Sequence, residues 1–242
     1  MHPTLTVLLY STLAAGMAGL GVLPLLGRER VTSAWIGWSY ALASGGMLGA
    51  AYLLSTVDSG VPLATAVGAA AGVLFILFTH LATGASLIDL HRPEQYEPGD
   101  GYRIALTDTL HSASEGIGIG VAMAVDLRFG IFVALVMGLH NIPEATVLGA
   151  VVRDRPASLR TVTGLALAVN ITQVLLAVGT FAVLGAAPAA LVWLQGFAVG
   201  ALLTLVLVEM LPGAYRGAGA TSIAVVASVA LSLVVLFGGV IR

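Results

Sequence analysis

The stretch HSASEGIGIGVAMAVDLRFGIFVALVMGLHNIPEA, residues 111–145, decides the fold. Two long apolar runs meet at Asp126 and Arg128, and an ionisable pair lies toward the far end of each: His111 with Glu115, and His140 with Glu144. Runs of this kind, prolonged on both sides, are long enough to cross a hydrocarbon core of about 30 Å. They predict two consecutive membrane-spanning helices, at 103–125 and 129–152.

Outward from this centre the same pattern recurs at 4–26, 34–56, 61–89, 159–185, 188–211 and 220–241, which makes eight spans in one transmembrane unit, 1–242. Hydrophobic residues make up 58% of the chain and charged ones only 9%, against about 25% in ordinary soluble domains. The runs lack the alternating pattern of barrel strands, and a lipid-embedded backbone must satisfy its own hydrogen bonds, so the prediction is an all-α integral membrane protein. The first span carries neither a basic leader nor a cleavage pattern and is read as a retained helix.

All ten basic residues are arginine. Arg28, Arg30, Arg92, Arg103, Arg153, Arg155, Arg160 and Arg216 fall in loops of one parity, Arg128 and Arg242 in the other. Basic loops stay in the cytoplasm, which places the loop 90–102 inside and both termini outside. That loop holds His91, Glu94, Glu97 and Asp100 among Pro and Gly, and is read as a solvated linker, with weak metal holding by these four residues as the alternative.

There are no cysteines, so disulfide frameworks, thiolate metal sites and thiol catalysis are excluded. No basic cluster supports a nucleic-acid partner. The chain has no HExxH, GxSxG or P-loop motif, and Ser112 and Ser114 beside His111 lack the partners of a serine hydrolase, so no enzyme is expected.

An ionisable side chain costs about 2.5 kcal/mol or more at a bilayer centre and marks function by default. His111 and Glu115 are spaced i, i+4, as are His140 and Glu144, so each imidazole shares a helix face with its carboxylate. Counted from the cytoplasmic ends at 1.5 Å per residue, His111 and Glu144 both lie roughly 12 Å deep, and Glu115 and His140 roughly 18 Å. Antiparallel neighbours therefore set His against Glu twice, and two imidazoles with two carboxylates suit a borderline divalent cation. Pro143, between the second pair, cannot donate to the Leu139 carbonyl. The other reading is a buried polar network that locks two helices, which would ordinarily use Ser, Thr or Asn.

At these residues the sequence resembles the ZIP (Zrt/Irt-like protein) family of divalent metal transporters. The family's fourth helix carries His-Asn/Ser-x-x-Glu-Gly, here His111 to Gly116, and its fifth His-x-x-Pro-Glu, here His140 to Glu144. Ser44-Gly45-Gly46-Met47-Leu48 is similar to the family's second-helix segment, and Gly200 with Glu209-Met210-Leu211-Pro212 to its seventh. The resemblance implies three helices, two central ones and three more, with the last three an inverted repeat of the first. It also implies that Met47 adds a thioether to His111, Glu115, His140 and Glu144.

Many family members hold two adjacent metals through further ligands at positions that are Ser112, Asn141 and Gln173 here, none charged. With Glu115 and Glu144 counted as the only negative charges, one cation is expected rather than two. Asp108 is expected either to orient His111 or to stand in a cytoplasmic-side cavity. Glu209 and Asp89 are placed at the inner interface, with an exit-path role as the alternative, and Asp58 at the outer entrance. His80 is read as a packing residue.

The resemblance implies transport toward the cytoplasm by alternating access, of Zn2+ first, with Fe2+, Mn2+, Co2+ or Cd2+ open, and with no organic cofactor. The expected setting is a bacterial or archaeal cytoplasmic membrane, and a homodimer is left open. The competing reading is a membrane metal sensor, or a helix bundle with a structural metal and no flux.

Overall fold

A computed structural model describes residues 2–26, 32–57, 60–84, 97, 99–153 and 158–241. Asp58 and Asp89, and His91 and Glu94 of the loop, lie outside the described residues. Among the described residues every regular element is helical: α1 (Pro3–Met17), continued by a 3-10 segment (Ala18–Leu25), α2 (Ser33–Ser55), α3 (Pro62–Thr83), α4 (Asp100–Val125), α5 (Leu127–Arg153), α6 (Leu159–Val169), α7 (Ile171–Ala186), α8 (Leu191–Leu205), a π turn (Val206–Met210), α9 (Leu211–Gly217) and α10 (Ala220–Ile241).

Among the described residues, six stretches are long and apolar enough to cross a membrane: Pro3–Leu25, Pro62–Thr83, Leu127–Val152, Leu159–Ala186, Pro188–Gly217 and Ala220–Ile241. Two of the eight expected spans, α2 and α4, are outside this group, for a physical reason. They bury Ser39, Ser44, Thr107, Asp108, His111 and Glu115 against protein, so their composition is not that of a lipid-facing helix. On α3 and α10, by contrast, Leu74, Phe78, Leu81, Leu236 and Phe237 are exposed, as surfaces facing acyl chains are. The chain is an integral membrane protein.

Several elements depart from the expected limits. Beyond Met17 the first span tightens into 3-10 geometry, where Gly21 lies so close to α5 that a Cβ would strike Ala145 and the Ile142 carbonyl. Thr146 Oγ1 donates to the Gly21 carbonyl at 2.9 Å and holds this approach. The third span ends at Thr83, earlier than 89, because Gly84 takes a left-handed conformation (φ 67°) that caps the helix. The helix after the loop starts at Asp100 rather than 103, its carboxylate accepting from the Glu97 N–H at 2.8 Å. The sixth span breaks at Asn170, and the seventh runs on through the π turn to Gly217. Helix α5 continues through Pro143.

Between α4 and α5 only Asp126 turns the chain, its Oδ1 accepting from the Phe129 N–H at 2.9 Å as an N-cap. This tight turn makes the two helices antiparallel neighbours. Around them, α4 packs on α7, α5 on α1 and its 3-10 continuation, α2 on α5 and α10, and α3 on α8.

Glycines set the closest of these contacts. A Cβ at Gly68 or Gly72 would fall on the backbone of Trp193 and Phe197, and one at Gly196 or Gly200 on that of Thr65 and Ala69. The α3–α8 pair is thus a reciprocal small-xxx-small interface, the form that lets helix backbones touch where lipid supplies no hydrophobic drive.

Candidate metal centre

The i, i+4 pairs on α4 and α5 face one another. His140 Nε2 lies 3.3 Å from Glu115 Oε1 and 3.6 Å from Glu144 Oε2. Glu115, His140 and Glu144 each offer a ligand atom, all within 4.8 Å of one another. The same separation holds for Asp108, His111 and Glu144, and again for His80, His111 and Glu209. The first and second trios share Glu144 and the second and third share His111, so the three form one continuous ladder of imidazoles and carboxylates.

Exposure changes along the ladder. The side chains of Glu115 and His140 are 0% exposed, that of Glu144 13% and that of Glu209 29%. On the far side of Glu115, α4 is sealed by Ile119, Ala122 and Met123, and Gly118 packs against Leu54, Ala198 and Leu202. The ladder therefore opens at the Glu209 end and is closed by apolar packing beyond Glu115.

At that open end His80 Nε2 lies 2.7 Å from Glu209 Oε2, with His111 Nε2 3.9 Å from the same oxygen. The two imidazoles meet edge to face, ring centroids 5.3 Å apart. Glu209 belongs to the π turn, whose extra residue shifts the register of the span and marks functional sites in many helices.

Met47 is fully buried in α2, and the adjacent Gly46 faces the His140 Cβ, so α2 packs beside the trio of Glu115, His140 and Glu144, the outer trio as counted from the open Glu209 end. Of the three uncharged positions, Asn141 and Gln173 are linked to each other and to Glu115, while Ser112 bonds elsewhere. Asn141 Nδ2 donates to the carbonyl of Ala14 and to Gln173 Oε1, each at 3.0 Å, and Gln173 Nε2 donates to Glu115 Oε2 at 3.0 Å. Ser112 Oγ donates to Asn170 Oδ1 at 3.4 Å.

The family model described as ZIP zinc transporter matches residues 92–241, which carry both His/Glu pairs and the π turn. The chain belongs to the ZIP zinc transporter family. A protein of Arabidopsis thaliana named for zinc transport is 29% identical over 238 residues, covering 94% of this chain and 37% of that protein. The chain thus spans little more than a third of that relative's length. The relative is a plant protein and lends no support to a bacterial or archaeal source.

Two expectations change with the geometry. His80, read as packing, is an ionisable partner of Glu209. Counter-charge was also undercounted, because Asp108 reaches His111 and Glu144, and Glu209 reaches His111. A signal for Asp108 was present, since it lies three residues before His111 and so on the same helix face. The approach of His80 to Glu209 had no such signal, because it depends on the π turn.

Proposed function

We propose that the chain carries a divalent transition metal, zinc first, toward the cytoplasm by alternating access, with the ladder of ligands as its path. The overlap of the trios carries this reading. A structural metal needs one closed ligand set, whereas sets that share Glu144 and then His111 allow a cation to exchange one ligand at a time. The outer trio, with Met47, strips the cation of water; Asp108 joins His111 and Glu144 below it; His80 and Glu209 receive the ion near the open end. Imidazole, carboxylate and thioether together suit zinc, while iron, manganese, cobalt and cadmium compete according to availability.

The helix pairings support the three-two-three plan with its inverted repeat. Exchanging the first three spans with the last three turns the α3–α8 contact into that between α10 and α2, and the contact of α1 with α5 into that of α7 with α4. With the arginine-rich loops inside, both termini lie outside the cytoplasm, and 1–242 forms one transmembrane unit.

Proteoliposomes containing the purified protein should take up zinc saturably. Zinc binding with no uptake would favour the sensor or structural reading. Because protons compete with metal for imidazole and carboxylate, uptake should fall steadily as the outer solution is acidified at constant free zinc, and a flat profile would argue against these ligands.

Two variants separate parts of the path. Glu209→Ala should keep zinc binding at the outer trio yet slow uptake about tenfold or more, the effect expected for removing one ligating partner. X-ray absorption on zinc-loaded protein should show one sulfur scatterer at about 2.3 Å or slightly longer, lost in Met47→Leu.

A further inference from the structure

We infer that Gln173 is a positioning residue that holds one oxygen of Glu115 and, with Asn141, keeps a second cation from binding beside it. The inference rests on the proposed reading of Glu115 as a cation ligand. Glu115 divides its two oxygens between two jobs. Oε1 faces His140 at 3.3 Å, in the ladder, while Oε2 accepts the Gln173 amide at 3.0 Å. Any cation that bound Oε2 would have to displace this N–H, which presents partial positive charge at the place the cation needs.

The carboxamide is fixed in orientation and in place. Its own oxygen accepts from Asn141, which is tied in turn to the Ala14 carbonyl, so a reversed amide would set donor against donor. Its backbone is pressed against α4, since a Cβ at Gly116 would strike the Gln173 carbonyl, and Thr172 Oγ1 donates to the Thr109 carbonyl at 2.7 Å. Glu115, Asn141 and Gln173 are all 0% exposed, so no water competes for these groups from bulk. The chain break at Asn170 serves this arrangement by starting α7 where Gln173 meets Glu115.

One change would invert the chemistry. Gln173→Glu keeps the shape but replaces the donor with an anionic oxygen facing Glu115 Oε2. Asn141 Oδ1 is buried without a hydrogen-bond partner. Two buried carboxylates in contact need a cation or a proton between them, so the variant should recruit one more metal ion.

The test uses the purified full chain, with bound zinc counted by elemental analysis after equilibrium dialysis. Gln173→Glu should hold one zinc more per chain than the parent, which a purely structural role for Gln173 would not produce. Gln173→Leu, of similar volume without the donor, should keep the parent's count and bind zinc about tenfold more weakly, as removal of a ligand's hydrogen-bond partner does. An unchanged count in Gln173→Glu overturns the inference, and if that variant does not fold, unchanged affinity in Gln173→Leu overturns it. A parent that binds no zinc, or whose binding survives Glu144→Ala, would instead sink the transport reading.

Discussion

His111→Ala is expected to abolish zinc uptake while leaving zinc bound at the outer trio. His111 is the member shared by the second and third trios, with Asp108 and Glu144 on one side and His80 and Glu209 on the other. Without it the cation held by Glu115, His140 and Glu144 keeps its ligands but has no next imidazole to move to. Loss of a direct ligand at a shared step should exceed the upper, about 100-fold, cost of losing a mere orienting partner. Uptake assays paired with zinc counting on the same preparations read both quantities. If uptake in His111→Ala stayed within a few-fold of the parent, the path would not run through this residue.

The second large effect concerns folding. Gly72→Leu should destabilise the protein by about 3 kcal/mol or more, as overpacking at a backbone contact does. Gly72 meets the backbone of Phe197 and Ala201, not the end of a flexible side chain, so the α3–α8 pair can accept the added atoms only by separating. Gly164, beside which a Cβ would meet nothing within 4 Å, is the control: Gly164→Ala should leave stability unchanged or raised. Thermal unfolding in detergent compares the two, and equal midpoints would refute the packing argument. Because α3 carries His80 and the span containing α8 carries Glu209, separating the pair should also disturb the open end of the ladder.

How far the sequence foretold this arrangement depends on which physical signal each residue carried. The i, i+4 spacing of His111 with Glu115 and His140 with Glu144, and their equal depths, depend only on helix geometry, and those pairs do face each other across α4 and α5. Hydrophobicity located the spans but not their internal geometry. An apolar run reads the same whether it is α, 3-10 or π, so the break at Asn170 and the turn that carries Glu209 had no signal of their own, whereas Gly19, Gly21 and Pro24 mark the irregular segment after Met17.

The limits of charge counting show in the same place. Taking Glu115 and Glu144 as the only counter-charges led to a single cation by electroneutrality, yet Asp108 and Glu209 also touch the ladder. The hydrogen bonds of Gln173 and Asn141 offer a different ground for one cation beside Glu115, namely that neutral donors occupy the space. Such an argument needs atomic positions, because a glutamine in an apolar run has no partner written beside it.

The most direct test of the central claim is to measure zinc flux and bound zinc together for the parent and Glu144→Ala in proteoliposomes. Glu144 is common to the first two trios, so its loss should remove both tight binding and saturable flux. Flux at parental levels in Glu144→Ala would contradict the account, because the cation would then cross the membrane without the ladder.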